Sequence, residues 1–107
     1  MVINQYDIFW IDLNLTVDHK IKKVRPCVIL SPDEINFNID TIIIAPMTTK
    51  SRSYPTRVRV TFENKSGFLV LDPIRTIGKI RLTEHDGHLN ELKITEVKAV
   101  LKESVDD

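Results

Sequence analysis

Two short segments combine a proline with side chains that bind phosphate. The first is Arg25, which precedes Pro26 at the start of an apolar stretch. The second follows the most apolar stretch of the chain and contains Thr48, Thr49 and Lys50. An arginine fork binds phosphate oxygens in pairs and stabilises the charge of a phosphorane, while small hydroxyl and ammonium groups hold non-bridging oxygens. The pattern indicates phosphate contacts at both segments, with ordinary strand ends as the alternative.

A third segment places an acid and a base around a proline. Asp72 follows the apolar stretch 68–71 and precedes Pro73 and Arg75. At the end of a buried strand, this carboxylate would brace an arginine or accept hydrogen bonds from the edge of a nucleic-acid base. A turn aspartate before a proline is the alternative interpretation.

The three histidines differ in their chemical context. His19 lies in a basic segment six residues before Arg25, so it is a candidate general acid or base, with a solvated loop histidine as the commoner alternative. His85 and His88 are separated by a stretch that contains Gly87, and no third strong ligand has a set spacing. We therefore predict exposed loop histidines before a C-terminal helix, and no metal or other cofactor.

Charge is balanced in total but segregated along the chain. The formal net charge is +0, from 15 basic and 15 acidic residues. Most of the basic residues fall into three clusters: Lys20, Lys22, Lys23 and Arg25; Lys50, Arg52, Arg57 and Arg59; Arg75, Lys79 and Arg81. The final stretch is acidic. Such segregation gives a neutral protein one basic surface suited to a phosphate backbone, unless these are simply solvated strand and loop residues.

The 107 residues predict one domain, 1–107, with a core large enough to need no disulfide or metal. The only cysteine, Cys27, is followed by apolar residues, which predicts a buried structural thiol and excludes an internal disulfide. No apolar run approaches the roughly 20 residues that span a membrane. We expect a soluble, cytoplasmic protein.

Hydrophobic periodicity predicts a mainly β fold with a C-terminal α-helix. Alternating and apolar stretches indicate five to seven short strands, with Pro26 fixing the start of one and Pro46 ending another. Ser31 resembles a helix N-cap, and residues 65–67 resemble a turn. Apolar residues recur at helical spacing between Glu91 and Glu103. Closely spaced strands favour a small barrel over a parallel sheet.

Four motifs in fixed order give the chain a resemblance that no single motif provides. They are Arg25-Pro26 with Ser31-Pro32, then Ala45 to Ser51, then Tyr54-Pro55, then Asp72 to Ile77. In order and spacing they resemble the MazF/PemK toxin family over nearly the whole chain.

The resemblance implies an SH3-like or CcdB-like barrel that pairs as a two-fold homodimer. It implies ribosome-independent cleavage of single-stranded RNA at a short sequence. The ribose 2′-hydroxyl would attack the phosphate without a metal, leaving a 2′,3′-cyclic phosphate and a 5′-hydroxyl. The catalytic pair of the family corresponds to Arg25 and Thr48. A cognate antitoxin with a disordered acidic segment would be the partner. Further candidate RNA contacts are Thr49, Lys50, Arg52, Arg75, Lys20, Lys22 and Lys23.

The chain departs from the family pattern in the segment before the arginine. Lys20 stands where many members have an acid, and the usual glycines are missing. His19 and Asp72 match PemK-type positions, whereas Val70 replaces an arginine of that type, so both are secondary candidates. The main alternative is a non-enzymatic, CcdB-like poison of DNA gyrase. A plain RNA-binding barrel is disfavoured because the seven aromatic residues lie mostly at core-like positions.

Overall fold

The computed structural model describes residues 1–13, 23–50, 53–72 and 74–105. Within these ranges the chain forms seven strands, two α-helices and one 3₁₀ turn. The strands are β1 (Asp7–Asp12), β2 (Val24–Ile29), β3 (Thr41–Thr48), β4 (Arg57–Phe62), β5 (Lys65–Val70), β6 (Arg75–Gly78) and β7 (Leu82–His88). The helices are α1 (Asp33–Asn38) and α2 (Glu91–Val105), and the 3₁₀ turn is Lys79–Arg81. The prediction of short strands with a C-terminal helix is confirmed.

The strands form one antiparallel sheet that curls into a half-barrel, as the sequence predicted. The order along the sheet is β4-β5-β3-β2-β1-β7, and β6 pairs with β3 off this path. The long strand β3 divides its pairing, because Thr41 to Ile44 pair with β6 whereas Met47 and Thr48 pair with β5. This change of partner lets the sheet close over itself.

Apolar side chains alternate along the strands and form two buried clusters. The first contains Val28 and Leu69 and includes Val97 from α2, so it packs the helix against the sheet. The second contains Phe9 and Ile44, on the strand positions that alternate with the first. None of the helices in the described ranges is long and apolar enough to cross a membrane.

Cys27 belongs to the second cluster and is fully buried, as predicted. Burial raises the pKa of its thiol to about 12, against the opposing positive charges of Arg75 and Arg25. The thiol is therefore uncharged near neutral pH and contributes packing.

Both prolines lie inside strands, so the predictions that they begin and end strands are wrong. Pro26 pairs with Trp10 in the β1–β2 ladder, just beyond the point where β2–β3 pairing begins at Cys27. Pro46 lies between the part of β3 that pairs with β6 and the part that pairs with β5. Each proline thus occupies a place where one neighbouring strand is unpaired, and its missing N–H removes no ladder hydrogen bond.

Two local turn predictions are also corrected. The β4–β5 turn is Glu63-Asn64, with φ of 49° and 63°, rather than residues 65–67, which belong to β5. Pro32, rather than Ser31, occupies the N-cap position of α1, and no side chain caps that helix. Ser31 is buried and uses its hydroxyl elsewhere: Oγ donates to Asn36 Oδ1 at 2.6 Å and accepts from the Ile43 N–H at 3.1 Å.

Candidate active site

Arg25 and Thr48 line the same groove. The groove has a volume of about 360 Å³ and lies between the ends of β2 and β3 and the β4–β5 hairpin. The ladder brings the two residues together, because Cys27 of β2 stands opposite Pro46 of β3. Arg25 lies two residues before Cys27, and Thr48 lies two residues after Pro46. The two residues are therefore at the same end of the antiparallel pair. The segments that the sequence predicted for phosphate contact thus meet in space.

Arg25 presents its side chain at the surface. It lies in β2 opposite Ile11 and is exposed. Among the residues that the structure describes, no carboxylate lies within salt-bridge distance of its guanidinium. A forked cation at a groove edge is suited to holding two oxygens of one phosphate.

Thr48 ends β3 and shapes the segment that follows. Its Oγ1 accepts a hydrogen bond from the Lys50 backbone N–H at 3.0 Å, which closes a tight turn. A hydroxyl has one donor and two acceptor sites, so this bond leaves the O–H of Thr48 able to donate. The half-buried side chain therefore offers a fixed donor to an oxygen in the groove.

Gly67 holds Thr48 from the opposite strand. A Cβ on Gly67 would lie 2.6 Å from the Thr48 carbonyl oxygen, which is closer than real contacts allow. Only glycine permits β5 to approach β3 this closely while Phe68 pairs with Thr48. The sequence predicted a turn at Gly67, whereas this glycine allows the close approach of β5 to β3.

The groove is cationic along one part of its lining and aromatic along another. Lys50 and Lys65 accompany Arg25, and the aromatic lining consists of Trp10, Phe62 and Phe68. The prediction that the aromatic residues lie mostly at core positions is therefore wrong. Of the seven, Phe9 alone is buried, and the others are half-buried or exposed.

Other groove residues were missed by sequence analysis. Glu63, Lys65 and the aromatic residues of the β4–β5 hairpin reach the groove only because β5 pairs with the end of β3. One of the alternating stretches of the sequence, with Val58, Val60 and Phe62, predicted a strand at β4 but not the position of that strand in the fold. The feature that could have located these residues is the turn at Glu63-Asn64, because the position of the turn determines which side chains lie at the tip of the hairpin.

Asp72 and Arg75 lie away from this groove. Asp72 forms a salt bridge with Arg57, whose guanidinium also lies 5.3 Å from the centroid of the Tyr54 ring. This contact matches one of the alternatives that the sequence left open for Asp72, a carboxylate that braces an arginine, with Arg57 as the partner. Arg75 lines a second pocket of about 300 Å³ together with Arg81.

Several candidate residues lie outside the described ranges: His19, Lys20, Lys22 and Arg52. Lys23 is described and exposed, and its carbonyl accepts a hydrogen bond from Leu13 N–H at 2.9 Å. Thr49 lines the groove beside Thr48.

His85 and His88 belong to strand β7, so their prediction as loop residues is wrong. Gly87, at φ 115°, lets the strand continue through a bulge opposite β1. His88 Nδ1 lies 2.8 Å and His85 Nε2 3.6 Å from the buried carboxylate of Asp7. Across the described ranges, no group of three or more His, Cys, Asp or Glu residues is placed to hold a metal ion.

Together, these elements define a small β half-barrel with a C-terminal helix, whose groove is lined by an arginine and a threonine. The chain belongs to the family described as the PemK-like, MazF-like toxin of type II toxin–antitoxin systems, whose model matches residues 4–105.

Curated relatives agree with this membership, and solved structures agree with the fold. The Endoribonuclease EndoA of Bacillus subtilis (strain 168) is 30% identical, and the match covers 98% of this chain and 96% of that protein. The Endoribonuclease toxin MazF of Escherichia coli (strain K12) is 30% identical over 66% of this chain, and the match spans only 64% of its length. A MazF–MazE structure from Deinococcus radiodurans has a TM-score of 0.83 at 21% identity, covers 98% of this chain and 96% of its own, and supports the fold.

Proposed function

We propose that residues 1–107 form a single toxin domain that cuts single-stranded RNA at a short recognition sequence, independently of the ribosome. The observation that supports this most directly is that Arg25 and Thr48 line one groove that also contains Lys50. The relatives named endoribonucleases support the same activity. The same relatives disfavour the alternative function as a gyrase poison. A gyrase poison would also have no need of a groove that binds phosphate.

In the proposed reaction, the 2′-hydroxyl oxygen of the substrate attacks the adjacent phosphorus. The 2′-hydroxyl loses its proton as its oxygen binds phosphorus, and the P–O5′ bond breaks, which leaves a 2′,3′-cyclic phosphate. The departing 5′-oxygen takes up a proton and becomes the 5′-hydroxyl. Arg25 neutralises the charge that develops on the phosphorane, and the Thr48 hydroxyl donates to a non-bridging oxygen. A guanidinium group holds its proton too strongly to be a good general base, so charge stabilisation is the main role of Arg25.

The remaining candidates take supporting roles in this proposal. His19 is the candidate for proton transfer, and Lys20, Lys22, Lys23 and Arg52 are candidate backbone contacts. Asp72 has its arginine partner in Arg57 and acts as a brace of the fold. Because the substrate supplies its own nucleophile, the reaction as written requires no metal.

The proposed partners follow from the basic groove and from the family. A disordered acidic segment of a cognate antitoxin would compete with RNA for Arg25, Lys50 and Lys65. Solved complexes of similar fold contain an endoribonuclease with its cognate antitoxin, and MazF with MazE. We further propose that the chain forms a homodimer and acts in the cytoplasm.

The test is incubation of the purified protein with a long single-stranded RNA in EDTA. Arg25→Ala and Thr48→Ala are compared with matched changes on the exposed face of α2, Lys98→Ala and Thr95→Ala. We expect discrete cleavage, with cyclic phosphate ends, by the wild type and the two helix variants. The groove variants should lose about a hundredfold or more in rate.

Either of two results would contradict the proposal. Intact RNA across varied sequences, from a folded protein, would exclude the nuclease and lead to a gyrase supercoiling assay. Full cleavage by Arg25→Ala or Thr48→Ala would place the chemistry elsewhere in the molecule.

A further inference from the structure

The aromatic lining of the groove has a defined internal geometry. The rings of Trp10 and Phe62 lie 6.1 Å apart between centroids at an interplanar angle of 51°. Phe68 lies under the guanidinium of Arg59, 5.2 Å from the ring centroid. All three aromatic side chains are half-buried, so each retains exposed ring surface. An open groove with three rings along its lining offers stacking surface to flat ligands.

These rings share the groove with three cations. Arg25, Lys50 and Lys65 line the same cavity as Trp10 and Phe62. Cations beside aromatic faces match the two features of single-stranded nucleic acid, its charged backbone and its unstacked bases. Phosphates would contact the cations while neighbouring bases lie against the rings.

A carboxylate stands at the hairpin end of the aromatic lining. Glu63 occupies the first left-handed position of the β4–β5 turn and lines the groove. Asp86 lies close to Glu63 and connects it to the rings, since the Asp86 carboxylate accepts a hydrogen bond from Trp10 Nε1 at 2.9 Å. Desolvation and the nearby Asp86 raise the pKa of Glu63. An N–H donor from a ligand would relieve the crowding of these two acids.

We propose that Trp10, Phe62 and Glu63 form a base-recognition subsite, in which the rings stack one unpaired base of the RNA and the carboxylate accepts hydrogen bonds from its edge. Phe68 provides stacking surface for a neighbouring base. This inference rests on the proposed ribonuclease function, because it assigns sequence selection to the groove where cleavage occurs.

The chemistry of the carboxylate limits which base is preferred. A deprotonated carboxylate only accepts hydrogen bonds, so it favours a base edge with an exocyclic amino group. Adenine, cytosine and guanine have such a group, whereas the only donor on the pairing edge of uracil, N3–H, lies between two carbonyl oxygens that repel a carboxylate. The base stacked on Phe62 is therefore adenine, cytosine or guanine, and uracil at that position binds about tenfold more weakly.

The experiment first maps the cleavage site of the wild-type protein on a long RNA. An oligoribonucleotide with the mapped sequence and a 2′-deoxy substitution at the cleaved nucleotide then serves as an uncleavable binding probe. Its dissociation constant is measured by fluorescence anisotropy, for the mapped sequence and for single-base changes at each position. Failure of the wild type to cleave any RNA contradicts the proposed function, whereas the binding series tests the subsite alone.

The variants separate stacking from packing. Phe62→Ala and Phe62→Leu should both weaken binding about tenfold, because leucine fills volume without a ring face, and Phe62→Tyr should restore it. Tyr54→Ala is the matched control, since Tyr54 is an exposed aromatic outside the groove. Thermal unfolding of each variant confirms that it is folded. Unchanged affinity in Phe62→Ala, or full affinity in Phe62→Leu, would overturn the proposal.

The second pair of variants tests recognition of the base edge. Glu63→Gln should reduce the preference against uracil at one position of the probe, since an amide both donates and accepts. Glu84→Gln is the matched control, because Glu84 lies near Glu63 but does not line the groove. An equal gain in affinity for all sequences would show a general charge effect. That result, or an unchanged base preference, would overturn the assignment of Glu63.

Discussion

At the scale of single residues, the two principal groove side chains differ in what they offer a phosphate. Arg25 is an exposed forked cation, and Thr48 is a half-buried hydroxyl whose oxygen already accepts from the Lys50 N–H. The arginine therefore supplies charge and paired donors, while the threonine supplies one oriented donor. Their substitutions should consequently have different effects on binding and on rate.

Arg25→Lys tests whether the fork matters beyond its charge. Because lysine keeps the positive charge, RNA affinity should change little. Lysine loses the paired, planar donors of the guanidinium group. The single-turnover cleavage rate should fall about a hundredfold, because a preorganised donor to the developing charge is lost. Rapid mixing of excess enzyme with labelled RNA gives the rate, and anisotropy gives the affinity. Cleavage at the wild-type rate would show that charge alone is sufficient.

Cys27 provides a residue-scale test of the buried cluster. With its pKa raised to about 12 by burial, the folded thiol should resist iodoacetamide at neutral pH and react once the protein is denatured. Because the pKa is raised in the folded state, the neutral thiol stabilises the fold below the ordinary pKa near 9, and this stabilisation is lost as pH rises towards 12. Mass spectrometry after timed labelling measures the reaction. Rapid stoichiometric labelling of the native protein would show that Cys27 is accessible.

At the scale of elements, the β3–β5 contact determines where Thr48 lies. A methyl group on Gly67 has no space beside the Thr48 carbonyl, so Gly67→Ala must displace one of the two strands. We expect the cleavage rate to fall at least tenfold and unfolding to require about 1–3 kcal/mol less free energy. Gly78→Ala is the control, because its nearest neighbour would lie at an ordinary 3.7 Å.

The two readouts distinguish a positioning role from a general loss of stability. Cleavage is measured well below the unfolding temperature of Gly67→Ala, where the variant remains folded. A variant with normal cleavage and reduced stability would show that the close approach supports the fold without positioning Thr48. A variant with neither effect would contradict the close packing of β5 on β3.

The elements also show what a sequence pattern can and cannot predict. Alternation identified β4, and helical spacing identified α2, because each depends on residues near one another in the chain. The strand boundaries predicted at Pro26 and Pro46 were wrong, because the effect of a proline depends on which neighbouring strand is paired at its position. The two phosphate-contact segments were predicted from their residue types, whereas the aromatic hairpin required the register of β5 on β3.

At the scale of the whole molecule, a net charge of zero coexists with a locally cationic groove. The acidic residues Glu84 and Asp86 lie on β7, which is separated from Arg25 on β2 by strand β1. A neutral molecule of this kind gains little long-range attraction for RNA, so its affinity should depend on the few cations that contact phosphates.

The salt dependence of RNA binding tests this local electrostatic model. Each cation that contacts a phosphate of single-stranded RNA should contribute about 0.7 to the slope of log affinity against log salt. Lys65→Gln should therefore reduce the slope by about 0.7, because Lys65 lines the groove, and its effect on affinity should shrink at high salt. Lys98→Gln, on the exposed face of α2, should leave the slope unchanged. Titration of the uncleavable probe at several salt concentrations measures both. Equal slopes for wild type and Lys65→Gln would show that the phosphates follow another surface, and the cationic lining of the groove would then serve some ligand other than RNA.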